Sequence, residues 1–217
     1  MDLTGRLLAW VALASVLAAL QYAGRLADGE TSENILYTWT AFVGGLVQFT
    51  IVLGIVLAIA RGLPKREVFA LKRPLSWGRA AGIAAVVMVV VFALAGILEP
   101  IADPGEEQGL LPSEWDPDRA APFVANFVLV SSVGPIVEEL TFRGLGYSLL
   151  LPFGWVAAVV AVGVAFGLVH GLVGGLPILV AFGCGLAYLR SRTGSIYPPI
   201  LLHAGFNATV LTFAVAG

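Results

Sequence analysis

Long apolar stretches dominate this chain, and the short segments between them hold most of its charge. Seven stretches can be read, and their approximate ranges are 5–22, 34–60, 80–98, 121–150, 155–173, 175–190 and 197–216. A helix needs about 20 apolar residues to cross the hydrocarbon core of a bilayer. Helix is predicted for each stretch, because an isolated strand would leave backbone groups without hydrogen bonds in lipid. The pattern predicts an all-α polytopic membrane protein of about seven transmembrane helices, or eight if the long fourth stretch is divided.

The composition supports this interpretation. Of the 217 residues, 59% are hydrophobic and 12% are charged, and the mean hydropathy is +0.92. Because soluble domains carry about 25% charged residues, the composition excludes a chain made only of soluble domains, and it also excludes a disordered chain. No basic patch with interleaved aromatic residues is present, so nucleic acid is not predicted as a partner. The single cysteine, Cys184, cannot form an intrachain disulfide and is predicted to pack in the apolar interior.

Charge gives the predicted orientation and the division of the chain. Segment 61–79 holds six of the twelve Lys and Arg residues and is predicted to be a cytoplasmic loop. Loop 99–119 is acidic and is predicted to lie on the outer side. Residues 1–120 then form an N-terminal three-span region, and residues 121–217 form a C-terminal core.

A few polar residues lie inside the apolar stretches of this core. A charged side chain at mid-bilayer costs about 2.5–3.5 kcal/mol on insertion scales, so such residues are expected to meet around a polar intramembrane cavity and to mark a functional site. The protein has only two histidines, and both lie in predicted spans. The candidate residues are Glu138, Glu139, Arg143, His170, His203 and Asn207.

Helical spacing predicts how the fourth stretch presents its charges. Glu139 and Arg143 are four residues apart, share one face of a helix, and are predicted to form an ion pair. Glu138 is rotated about 100° away and is free to face a different helix. Pro135 removes a backbone hydrogen bond to Ser131 and is predicted to disturb the helix in front of Glu138.

A carboxylate, two imidazoles and an amide suit the hydrolysis of an amide bond. Imidazole and carboxylate are zinc ligands, and a catalytic zinc ion often has three protein ligands and a water. Glu138, His170 and His203 are the candidate ligands if a zinc ion is used. A carboxylate can also act as a general base on water without a metal. An amide N–H can donate to a developing oxyanion.

The candidate residues form three blocks that resemble the CPBP family of intramembrane proteases, also called the CAAX protease or Abi family. The family pattern is E-E-x-x-x-R, then F-x-x-x-H, then H-x-x-x-N or D. All three blocks are complete and in the family's order, and the resemblance covers roughly residues 121–217. The blocks span Glu138 to Arg143, Phe166 to His170, and His203 to Asn207.

The resemblance implies an intramembrane endopeptidase and a role for each polar residue. Glu138 would activate the attacking water, His170 and His203 would hold that water or a metal, Asn207 would help to stabilise the oxyanion, and Glu139 with Arg143 would orient the site or touch the substrate. The implied partners are membrane lipid and a membrane-associated or prenylated peptide or protein. The implied location is an integral, multi-pass position in a bacterial or archaeal cell membrane. The oligomeric state is not predicted.

Two other functions fit the same residues. An ion-coupled transporter also uses intramembrane acids and histidines, although the two halves of this chain show no inverted repeat. A catalytically silent immunity or scaffold protein would use the same fold to bind a partner. Each polar group also has a structural interpretation: Glu139–Arg143 as a packing pair, His170 bonded to a backbone carbonyl, and His203 with Asn207 as a clasp between helices.

Overall fold

The computed structural model describes residues 1–27, 34–102, 112 and 114–216. Within these ranges every regular element is a helix, so the predicted all-α class is confirmed. The apolar stretches form helices because each can satisfy its backbone hydrogen bonds within one segment. The helices are α1 Leu3–Ala27, α2 Trp39–Ile59, α3 Lys65–Val68, α4 Trp77–Ala102, α5 Pro117–Phe153, α6 Trp155–Leu168, α7 Leu176–Thr193 and α8 Tyr197–Ala216.

Five of the described helices are long and apolar enough to cross a membrane, namely α1, α2, α4, α5 and α8. The protein is therefore an integral, polytopic membrane protein. The remaining two predicted stretches correspond to α6, which is apolar but only 14 residues long, and to α7, which carries Arg190 and Arg192 in its last turn. The fifth stretch was expected to continue to residue 173, but α6 ends at Leu168, and Gly171 takes a φ of +68° shortly after it.

Helices α6 and α7 pack against each other at very short range. A Cβ at Gly163 would lie 2.3 Å from the Cys184 sulfur, and a Cβ at Gly183 would lie 2.8 Å from the Gly163 carbonyl oxygen. Only glycine fits at these two positions, because any side chain would overlap the facing backbone. The close approach places Gly183 beside α5, where its carbonyl takes part in the candidate site described below.

One hydrophobic core joins the N-terminal and C-terminal regions. Trp10 of α1 packs edge-on against Phe142 of α5, with the ring centres 6.2 Å apart. Its indole N–H donates to the carbonyl of Thr141 at 2.9 Å. A Cβ at Gly146 would lie 2.4 Å from the Trp10 ring, so a glycine is required there. Helix α1 is thus held against the part of α5 that carries the three charged residues.

The basic segment lies against the α7–α8 turn. Ile196 donates its backbone N–H to Ala70, Leu75 donates to Thr193, and the hydroxyl of Ser148 donates to the carbonyl of Val68. These bonds place residues 65–75 at the end of the bundle where α5 and α7 finish, so segment 61–79 and the two arginines of α7 share one end. Of the acidic loop 99–119, the acids Asp103, Glu106 and Glu107 lie outside the described residues. Its outer location stays a prediction.

Candidate active site

Helix α5 carries three of the candidate residues and is not a regular α-helix throughout. The π-helical segments Leu129–Val133 and Leu140–Gly146 flank an α-helical segment, Gly134–Glu139. Single wide turns of this kind are often found at functional sites. The first one ends directly before Gly134 and Pro135, so the disturbance predicted from the proline takes the form of a widened turn.

Glu139 and Arg143 form the predicted ion pair. The Oε1 atom of Glu139 lies 2.8 Å from Nη1 of Arg143, and both side chains are fully buried. Arg143 also donates from Nη2 to the carbonyl of Gly183 at 2.9 Å, and its guanidinium lies 4.2 Å from the ring centre of Phe166. The same Glu139 oxygen accepts a hydrogen bond from Nδ1 of His203 at 3.0 Å. One carboxylate therefore holds both a guanidinium and an imidazole in place.

Glu138 faces a different group, as its rotation on the helix predicts. Its Oε2 atom lies 3.8 Å from Nε2 of His203, and the Glu138 side chain remains one quarter exposed. Because Nδ1 of His203 faces the Glu139 carboxylate, the neutral imidazole carries its hydrogen on Nδ1, and its Nε2 lone pair then faces Glu138. A separation of 3.8 Å is too long for a direct hydrogen bond, so the buried Oε2 atom of Glu138 has no hydrogen-bond partner among the described residues.

His170 combines a structural contact with a position at the site. Its Nδ1 lies 2.7 Å from the carbonyl oxygen of Phe166 on the preceding turn, which makes Nδ1–H the donor and leaves Nε2 as an acceptor. The ring lies 4.6 Å from the Phe166 ring and lines the same cavity as Glu138. The backbone contact fixes the tautomer of an imidazole that faces the cavity.

Asn207 connects α8 to α5. Its Nδ2 donates to the carbonyl of Val130 at 3.0 Å, inside the first widened turn of α5. This is the interhelical contact that the structural interpretation of Asn207 requires. An amide NH₂ has two hydrogens, so one donor remains. The role of Asn207 at an oxyanion stays a prediction.

Phe166 contacts more of the site than the sequence indicates. Its ring is buried and lies edge-on to Phe142 at 5.7 Å and to His203 at 5.5 Å between ring centres. Phe182 of α7 also packs edge-on against His203, at 5.6 Å. The motif names Phe166 but gives no reason for it, and Phe182 carried no signal in the sequence. Together the two rings fix the plane of the His203 imidazole.

A groove with a volume of about 510 Å³ leads to Glu138 and His170. Residues of α1 and α2 form most of its walls, and most of these residues are apolar. Two carboxamides also line it, Gln21 of α1 and Gln48 of α2, and neither has a hydrogen-bond partner among the described residues. Neither glutamine belongs to a motif block in the sequence. The rule that polar residues in apolar spans mark functional paths would have found Gln48, which lies near the middle of α2.

A catalytic zinc ion would need three of the candidate side chains to converge on one point. Glu138 and His203 approach each other, but in the part of the chain that the structure describes no three His, Cys, Asp or Glu side chains are grouped closely enough to hold a metal ion. The predicted ligand set of Glu138, His170 and His203 therefore does not fit a three-ligand zinc ion in this arrangement. Zinc stays a prediction, and no chemical step below depends on it.

These features define a class of protein: a helical membrane protein in which a buried acid–histidine cluster lies beside an apolar groove. The cluster consists of Glu138, Glu139, Arg143 and His203. The model of the Rce1-like family, described as type II CAAX prenyl endopeptidase Rce1-like, matches residues 120–209. The matched range contains all three motif blocks. The match supports the assignment of residues 120–209 to the CPBP/CAAX protease family, which the motifs predicted. No curated protein and no solved structure matches the chain significantly.

Proposed function

We propose that this protein is an intramembrane endopeptidase that cleaves a peptide bond near the C terminus of a membrane-associated, prenylated substrate of the CaaX type. The observation that carries the proposal is the position of Glu138, 3.8 Å from the free nitrogen of His203 and at the wall of an apolar groove. The family supports membrane-embedded proteolysis in general. The residue roles below belong to the proposal.

The reaction begins with a water molecule between Glu138 and His203. Both facing atoms, Oε2 of Glu138 and Nε2 of His203, are acceptors, so the water donates one hydrogen to each. With both hydrogens engaged, an oxygen lone pair is left for the carbonyl carbon of the substrate. Glu138 takes a proton from the water as the new C–O bond forms, which is general-base catalysis.

The tetrahedral intermediate then collapses. Protonated Glu138 returns its proton to the amide nitrogen, the C–N bond breaks, and the amine leaves. The second N–H of Asn207 is the proposed donor to the oxyanion. Glu139 and Arg143 do not touch the reacting atoms. They hold His203 in the tautomer and orientation that keep Nε2 facing Glu138.

The groove accounts for the substrate class. Its apolar walls suit an isoprenoid chain entering from the lipid. An amide group without a partner is costly in an apolar environment, so Gln21 and Gln48 are expected to gain hydrogen bonds when an extended peptide main chain lies beside them. A peptide that carries an apolar chain satisfies both features of the groove.

The test uses the purified full chain in detergent or nanodiscs, with a prenylated CaaX peptide and the same peptide without its prenyl group. We expect the prenylated peptide to be cleaved faster. Glu138→Gln should lower the rate by about 10²–10⁴-fold, the range of general-base contributions. Glu67→Gln is the matched control, because it makes the same change on α3, away from the groove, and should leave the rate unchanged.

Two outcomes would contradict the proposal. Cleavage by Glu138→Gln at the unmodified rate would remove Glu138 from the mechanism. Absence of cleavage of both peptides by the unmodified chain would contradict the function itself. Cleavage in the presence of a chelator tests zinc separately. Activity that survives chelation would support water activated by glutamate. Activity that is lost on chelation and recovered with added zinc would support the predicted zinc ligands.

A further inference from the structure

A second cavity lies at the other end of α5, away from the acid–histidine cluster. Its volume is about 370 Å³. It lies where α5 finishes, α6 begins and α7 makes its last turn, at the same end of the bundle as the basic segment. The proposed protease mechanism uses none of its residues. Its lining is Tyr147, Leu151, Trp155, Arg190, Ser191 and Arg192.

Arg190 is the informative residue, because no carboxylate in the described part of the chain compensates its charge. Its side chain is only 9% exposed, and its Nε atom has no hydrogen-bond partner. The guanidinium lies over the ring of Tyr147, 5.3 Å from the ring centre. None of the carboxylates that the structure describes forms an ion pair with Arg190. A buried, uncompensated guanidinium is unfavourable, so an anion from outside the chain would stabilise it.

The other lining groups define the chemistry of that anion. Arg192 adds a second guanidinium, Tyr147 adds a hydroxyl group, and no carboxylate lines the cavity. The hydroxyl of Ser191 donates to the carbonyl of Tyr188 and is not counted as a donor here. Guanidinium groups bind phosphate through paired hydrogen bonds, so this donor set suits a phosphate group better than a carboxylate or chloride.

The apolar part of the lining indicates where the phosphate comes from. Leu151 and Trp155 are 45% and 49% exposed at the cavity. Tryptophan is typical of the boundary between lipid and water. Beside this boundary, segment 61–79 supplies six basic residues at the same end of the bundle. Basic pockets between membrane helices at such a face bind anionic lipid headgroups.

We propose that this cavity binds the phosphate group of an anionic phospholipid at the membrane face that carries segment 61–79. Arg190 and Arg192 bind the phosphate oxygens. Leu151 and Trp155 contact the glycerol and the start of the acyl chains. The site is independent of the proposed proteolysis, because it would exist whether or not the protein cleaves peptides.

The test measures thermal unfolding of the full chain in neutral detergent, titrated with short-chain phosphatidylglycerol, short-chain phosphatidylcholine or inorganic phosphate. We expect phosphatidylglycerol alone to raise the unfolding temperature. Arg190→Gln should weaken this binding about tenfold or more, the effect of losing a charge-assisted hydrogen bond. Arg73→Gln is the matched control, because it removes one exposed charge from the same end of the bundle without touching the cavity, and it should weaken binding much less than Arg190→Gln does.

Several results would overturn the proposal. Equal stabilisation by phosphatidylcholine would show that acyl chains alone bind, and equal stabilisation by inorganic phosphate would show that no lipid is needed. No shift with phosphatidylglycerol would remove the site. If Arg190→Gln fails to fold, Arg192→Gln replaces it, because Arg192 is exposed. Binding of phosphatidylglycerol by Arg192→Gln as tight as by the unmodified chain would also overturn the proposal.

Discussion

Two buried arginines have opposite surroundings. Arg143 belongs to the acid–histidine cluster, and Arg190 lines the second cavity, at the end of α5. Arg143 has a carboxylate at 2.8 Å, a backbone carbonyl at 2.9 Å and an aromatic face. Arg190 has an aromatic face and an open cavity. Both leave Nε without a partner, so the difference lies in the charge. The chain itself compensates Arg143, whereas compensation of Arg190 must come from outside.

The same distinction separates the adjacent acids of α5. Glu139 is fully buried and bound to Arg143 and His203. Glu138 keeps a quarter of its side chain exposed, lines a cavity, and forms no ion pair with any Lys or Arg that the structure describes. In each region, the ionisable group whose charge is not compensated is the one that faces a cavity. Compensated groups position their neighbours, and uncompensated groups are the candidates for chemistry or ligand binding.

Removal of each guanidinium gives the sharpest test of this comparison. We expect Arg143→Met to lower the free energy of unfolding by about 3–5 kcal/mol, because it leaves the Glu139 carboxylate buried without its cation. Arg190→Met should change it by about 2 kcal/mol or less in either direction, since the cation–π contact that it removes is offset by the removal of an uncompensated buried charge. Denaturant unfolding of the lipid-free protein in one detergent measures both.

Equal losses from the two variants would break the comparison, because they would show that Arg190 also has a partner within the chain. A second variant checks the reason for the larger loss. Glu139→Gln added to Arg143→Met removes the stranded carboxylate and should recover part of the stability. If the double variant is as unstable as the sum of the single losses, the two residues are not coupled.

Glu139→Gln alone should affect catalysis less than Glu138→Gln. Glu139 acts through His203, and partners of this kind typically contribute about 10–100-fold to activity. We expect the loss in kcat, with KM little changed, because Glu139 does not line the groove. Steady-state cleavage of the prenylated peptide separates the two constants. A loss equal to that of Glu138→Gln, or a loss in KM alone, would contradict the division of roles between the two acids.

Local spacing predicted the parts of the site that depend on one helix. Residues four apart on a helix share a face, so the Glu139–Arg143 pair followed from the sequence, and so did the different direction of Glu138. The motif blocks also identified the two histidines that lie beside these acids. The helical class followed from hydropathy alone, because lipid leaves few alternatives for the backbone.

Features that depend on two helices did not follow from the sequence. The bond from His203 to Glu139 required the relative depth of α5 and α8, which spacing cannot supply. The end of α6 was placed too late because the backbone turns at Gly171, before the apolar stretch ends at residue 173. At Gly171 the backbone turns at positive φ beside Gln21 of α1, and a Cβ would lie 2.8 Å from that residue. Only the packed structure shows that neighbour.

The surface pair Asp116–Arg119 is expected to contribute least to stability in this comparison. The carboxylate of Asp116 compensates Arg119, but both side chains are in contact with solvent. The hydrogen bond from Arg119 holds the pKa of Asp116 below its ordinary value, with help from the backbone N–H groups of Asp118 and Arg119. A carboxylate whose pKa is lowered by folding stabilises the fold above its unfolded pKa, and this contribution disappears as the pH falls through the folded pKa.

We therefore expect Asp116→Asn to lower the unfolding temperature slightly at neutral pH, and the difference from the unmodified chain to disappear below about pH 4. Added salt should reduce the difference at neutral pH, because exposed pairs are screened. Asp118→Asn is the matched control, since its side chain accepts no hydrogen bond among the described residues. A difference in unfolding temperature that stays constant from neutral to acidic pH would assign the effect of Asp116 to packing. The Asp116–Arg119 pair would then not be an example of charge compensation that can be compared with Arg143.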